Sequence, residues 1–131
     1  MNREEALKVL RREDATINKI GHIIAALGWD QDTAMPPSGA EERGEQIALL
    51  SSLIHEKSIS ASLQEAIASL DGEALEGADA ALYRVWKKEI TNALKLPADL
   101  VMKMSLASND THYKWIEARE KDDFSIYEES L

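Results

Sequence analysis

Two adjacent prolines, Pro36 and Pro37, separate two long amphipathic stretches, and no helix or strand can run through them. Each ring fixes its own φ at about −65° and removes an amide donor. The residue before a proline is pushed towards extended backbone, so Met35 and Pro36 leave the α region. The connector is therefore read as a strut between two helices. Just after it, Ser38 stands three residues before Glu41, the spacing of a capping box, which predicts a helix start at that serine.

Before the strut, Leu7, Leu10, Ile17, Ile20, Ile24 and Leu27 recur at spacings of three, four and seven, the pattern of one helix face. This first helix should run from Arg3 and stop between residues 28 and 34, since Gly28 alone does not fix the end. The second, from Gly39 to about Lys57, places Ile47, Leu50, Leu53 and Ile54 inward. Ser62 and Glu65 suggest a cap for a short third helix that ends at Asp71-Gly72. A fourth should span Ala74 to Leu94 with Leu75, Leu82, Trp86, Ile90 and Leu94 inward. Pro97 suits the first position of a fifth helix. There Leu100, Met104, Ala107, Thr111, Trp115 and Ala118 form the stripe expected to be buried, ending near Asp122-Asp123. No stretch alternates as a strand does, and no repeat is visible. The expected fold is all-α: about five helices in antiparallel hairpins or a bundle, forming one domain over residues 1–131.

With 44% apolar and 30% charged residues the chain has the composition of a folded protein, not a disordered one. Fifteen basic against 24 acidic residues give a formal charge of −9, which disfavours a nucleic-acid partner. The local basic clusters, Arg11-Arg12 and Arg84 with Lys87 and Lys88, are small. Cysteine is absent, which excludes disulfides, thiolate nucleophiles and Cys-type zinc sites. No apolar run approaches the length of a membrane span, and the first residues lack the apolar core of a signal peptide. A soluble, cytoplasmic protein is expected.

Several residues invite a chemical reading. Asp30 and Asp32, with Gln31 between them, could act as an acid–base pair or hold a cation; the structural reading is that they bond backbone amides of the connector. His55-Glu56 opens like the His-Glu-x-x-His motif of zinc peptidases, but Ile59 stands where the second histidine belongs. His22 and His112 lie on separate helices. Trp86 and Trp115 are read as core, whereas Trp29 borders the connector. Gly72 and Gly77 do not form a phosphate-binding loop, and no nucleophile elbow is present. These readings assign no catalytic residue, no metal ligand and no identified substrate contact.

The string Trp29-Asp30-Gln31-Asp32-Thr33-Ala34-Met35-Pro36-Pro37-Ser38-Gly39, followed by Arg43 and Gln46, resembles the N-terminal signature of the carboxypeptidase Taq family of metallocarboxypeptidases. Later residues agree in order: Pro97, then Trp115, Ala118, Arg119, Asp123 and Phe124. The resemblance departs at Gly28, Asp32 and Ala34, where a larger residue, Glu and an aromatic are usual. It implies a mostly helical, usually homodimeric enzyme that removes C-terminal amino acids from peptides with a catalytic divalent metal, normally zinc. It also implies that the catalytic residues lie much further along the chain, so the matching residues here would be structural. Two expectations follow. Either this is the N-terminal piece of such an enzyme, a groove wall or lid without the catalytic centre, or it is a stand-alone helical interaction module that kept the fold. The first expects an exposed apolar face and self-association; the second expects Phe124, Ile126 and Tyr127 to close the core.

Overall fold

The computed structural model describes all residues, Met1–Leu131. It contains helices α1 (Arg3–Thr33), α2 (Ala40–Ser58), α3 (Ala61–Ser69), α4 (Gly77–Ala93), α5 (Ala98–Lys121) and the short α6 (Ser125–Glu128), with no strand. The all-α expectation is met, and α1 stops inside the expected window.

The ends of the helices correct several details. Asn2 caps α1: its Oδ1 accepts from the Glu5 amide at 2.9 Å, and the Glu5 carboxylate accepts from the Asn2 amide at 3.0 Å. Ser38 does not cap α2, because Pro37–Gly39 forms a 3₁₀ turn first and Gly39 occupies the cap without a side-chain bond. Pro36 is extended, at φ −67° and ψ 150°, and its carbonyl accepts from the Gly39 amide, which draws Ser38 into the turn. In α3 the cap is Ser60, whose hydroxyl accepts from the Leu63 amide, and not Ser62. Helix α4 begins three residues later than expected, because Gly72 and Gly77 both take positive φ, around a half-buried Leu75. Pro97 is the cap of α5 and not its first residue.

Helices α1 and α2 form an antiparallel hairpin across the proline strut. The buried core occupies one end of it, where Leu7, Leu10 and Ile17 of α1 meet Leu63 and Ile67 of α3 and Trp86 and Ile90 of α4. Trp86 is core as expected, and its indole N–H donates to Asp14 at 2.9 Å. Beyond Ile17 the apolar face of α1 is only half-buried, since α3 and α4 do not reach it. Helix α5 lies instead on the outer side of α2, and α6 folds back onto α5.

The α5 stripe is the largest correction. Asn109 faces α2, lying against Gly44; at 3.6 residues per turn, Leu100, Ala107, Thr111 and Ala118 point to the opposite side. Of the six stripe residues only Ala118 is buried, and Met104 and Trp115 remain 57% and 46% exposed. Trp115 is thus not core; its ring stacks on His112 and lies beneath Arg119. Leu94 of α4 is also exposed, at the turn into α5. Phe124 is exposed while Ile126 and Tyr127 are half-buried, so α6 closes the end of the fold incompletely.

Two exposed ion pairs brace the α1–α3–α4 end. Asp79 of α4 accepts from the Arg11 guanidinium, and Asp71 accepts from Lys87 Nζ and the Tyr83 hydroxyl, both at 2.8 Å. The Arg11 bond holds the Asp79 carboxyl below the ordinary carboxylate value of 3.8, and the Lys87 bond does the same for Asp71. A carboxylate depressed in the folded state contributes stability above its unfolded pKa, and that contribution is lost as pH falls through the folded value. Stability should therefore decline below about pH 4. Asp79→Asn is expected to shallow that acid limb, with only a small loss at neutral pH because the pair is solvated. An acid titration of the variant that overlays the parent's would contradict this.

Candidate functional site

One group of polar residues converges where the strut joins α1 to α2. Arg43, in the first turns of α2, is the hub. Its side chain is 15% exposed, and its guanidinium donates to the Leu27 carbonyl at 2.8 Å, to Asp30 Oδ2 at 2.9 Å and to Gln46 Oε1 at 3.2 Å. The Asp30 carboxylate thus takes Arg43 and not the connector amides. Those amides, of Ala34 and Met35, donate to the Asp30 backbone carbonyl at 2.9 Å each. Thr33 closes the last turn of α1 by donating to the Trp29 carbonyl. The Met35 side chain folds against Gly39, where an added Cβ would lie 3.1 Å from its Cγ.

A second set of bonds ties α1 to α5. Gln31 donates to Asn109 Oδ1 at 2.9 Å and to the Tyr113 hydroxyl at 2.6 Å. Asp32 points elsewhere and meets His112 Nε2 at 3.3 Å. The two aspartates do not share a site, as their spacing on a helix requires. These α1–α5 partners are separated by about eighty positions, and no local pattern in the sequence announces them.

Between α1, α2 and α5 lies an open cleft of about 520 Å³, lined by residues including Gly28, Gln31, Asp32, Ile47, Asn109 and His112. Amides, hydroxyls and one His–Asp pair give it hydrogen-bonding capacity. A histidine oriented by a carboxylate is half of an acid–base arrangement, but His112 hydrogen-bonds to no nucleophile here. Trp29 is 74% exposed beside the strut. Nowhere do three or more His, Asp or Glu side chains gather as a metal ion would require. His22, His55 and His112 sit on α1, α2 and α5, so these residues do not fit a catalytic metal.

His55 is buried in the last turn of α2, and neither its Nε2 nor the nearby Ser52 hydroxyl has a protein partner. Leaving a buried polar atom unpaired costs about 1–3 kcal/mol. His55→Leu is accordingly expected to raise stability by about 1 kcal/mol, read from chemical denaturation; a loss of that size would show that the imidazole is needed.

The comparisons with known proteins match this architecture over nearly its whole length. Residues 9–131 match the carboxypeptidase Taq (M32) metallopeptidase family. The chain belongs to that family. Thermostable carboxypeptidase 1 of Thermus thermophilus is 30% identical over 118 residues, covering 87% of this chain and 22% of the relative. The enzyme of the same name from Pyrococcus furiosus is 30% identical over 125 residues, covering 95% of this chain and 25% of the relative. The crystal structure of BsuCP superposes with a TM-score of 0.85 at 26% identity, covering 98% of this chain and 25% of that one. That of Pyrococcus furiosus carboxypeptidase does so at 0.70 and 29% identity, with the same coverage. The chain spans about a quarter of the length of these carboxypeptidases. Within that quarter, the residues from Trp29 to Gln46 that carry the sequence resemblance gather at the α1–α2 junction, whereas Pro97, Trp115, Ala118, Arg119, Asp123 and Phe124 stand towards the two ends of α5. No helix is long and apolar enough to cross a membrane.

Proposed function

We propose that this chain is the N-terminal helical portion of a zinc-dependent carboxypeptidase that removes C-terminal amino acids from peptides, forming a wall or lid of its substrate groove. The observation that carries this is the family match across residues 9–131 by a chain only about a quarter as long as its relatives. Metal, catalytic residues and substrate-carboxylate contacts then belong to the remaining three quarters. In this reading residues 1–131 are one structural unit, and the signature residues have structural roles: Arg43 and Asp30 lock the strut, and Gln31 seats α5. The enzyme works in the cytoplasm as a homodimer. The exposed apolar residues of α5, with Phe124 and Leu131 on either side of α6, favour this reading over a stand-alone module, which would have covered them. The same surface makes the isolated chain prone to self-association.

Sequencing the gene beyond Leu131 tests the reading. A continued frame containing His-Glu-x-x-His after further helices is the expected result. A stop codon directly after Leu131 in the native gene would favour the interaction module instead.

A further inference from the structure

The outer face of α5 carries an apolar stripe that the helical repeat marks for burial, and the fold covers only one end of it. Towards its C-terminal end the cover is α6: Thr111 Oγ1 donates to the Ser130 carbonyl at 3.5 Å, and Ala118 is buried where the chain turns through Asp122 and Asp123. Residue 118 thus lies beside the turn and residue 111 beside residue 130, so the segment runs antiparallel to α5 and directly along the stripe. Past that point Leu100 and Ala107 are exposed, as is Met104 at the margin where the stripe meets the α1–α2–α5 cleft, and Leu131, next after Ser130, is 79% exposed. The turn before α5 adds Leu94 and Leu96, both exposed. On one edge Lys103 is already paired with Asp99, so that edge carries no unbalanced charge to repel an apolar partner.

We infer that the uncovered stripe Leu100–Met104–Ala107 is the seat of an amphipathic helix from the rest of the carboxypeptidase, running antiparallel to α5 in line with α6. This rests on the proposed function and deepens it by naming the surface through which the catalytic remainder is held. Continuity with the existing α5–α6 interface fixes the direction. From Thr111 back to Leu100 is eleven residues, about 16 Å of helix, so roughly three turns of the incoming helix fill the gap. Ala107 in the middle lets the two backbones approach, with Met104 and Leu100 packing between the residues of its partner.

Because the chain has no cysteine, thiol reactivity reads this surface directly. Ala107→Cys and Met104→Cys are made in the 131-residue chain and in the uninterrupted gene product, and their rates of maleimide labelling are compared. Both thiols should react freely in the short chain. In the long protein they should react at least about tenfold more slowly, with the difference abolished by denaturant. Equal reactivity in a long protein that retains carboxypeptidase activity would overturn the docking while leaving the function standing. A long protein with protected thiols and no peptidase activity would sink the function and leave an α5 seat for a helix of another kind. Protection that appears in the short chain with rising concentration, and is absent from the long one, would make a second copy the occupant and refute the inference.

Discussion

Arg43→Ala is expected to lower stability by about 2–3 kcal/mol, the sum of two or three charge-assisted bonds lost together. The melting temperature should fall by roughly 6–12 °C for a domain of this size. The loss should be local in origin. Residues beyond Ile17 of α1 lie outside the buried core, and Arg43 is what holds the Leu27 carbonyl and Asp30 to α2. Amide exchange over residues 24–33 should therefore accelerate more than exchange over residues 6–17. Arg43→Lys should recover less than half of the loss, because an ammonium cannot reach the carbonyl, the carboxylate and Gln46 from one planar fork. Asp30 is half-exposed and can return to water, which keeps the cost below that of a fully buried pair. If alanine at 43 leaves the melting temperature unchanged, the strut is held by something other than this clasp.

Gly44→Leu is expected to lift α5 away from α2. An ideal Cβ at Gly44 would stand 2.9 Å from Asn109 Cγ, and Asn109 is itself held by Gln31, so it cannot swing aside without breaking that bond. Overpacking of this kind costs roughly 1–3 kcal/mol. Since α5 rests chiefly on α2, the cost falls on that one helix. Amide exchange should rise along α5 and α6, with the α1–α3–α4 core keeping its protection. Gly44→Ala sets two effects against each other. Helix propensity gains about 1 kcal/mol over glycine, while the shorter side chain still meets Asn109, so its net change should be small. A leucine variant with α5 protection intact would show that the two helices do not meet through Gly44.

The helices themselves were legible because apolar spacing reports local geometry. Leu7, Leu10 and Ile17, or Trp86 and Ile90, lie on one face whatever their partners are, and their burial followed. The caps were less legible. Ser38 has the right chemistry and spacing, yet two prolines upstream impose a turn that removes it from the cap, whereas Asn2 with Glu5 carries the same signature and does form the box. Spacing alone does not separate the two. The junction was legible only as a string of unusual residues: Arg43 and Asp30 stand thirteen positions apart, and Gln31 and Tyr113 stand eighty-two apart. Such contacts depend on how α2 and α5 are placed, which no local pattern encodes. The stripe on α5 was read as core because periodicity marks a face for burial without saying which partner supplies it. That Leu100, Met104 and Ala107 lie uncovered is the disagreement most informative about function.

On the proposed function, these helices belong to a metallocarboxypeptidase whose chemistry is performed elsewhere in the polypeptide. This is tested most directly by incubating the purified 131-residue chain with zinc and a short peptide and measuring free C-terminal amino acid. No release above the no-protein control is expected; zinc-dependent, chelator-sensitive release by this chain alone would overturn the proposal.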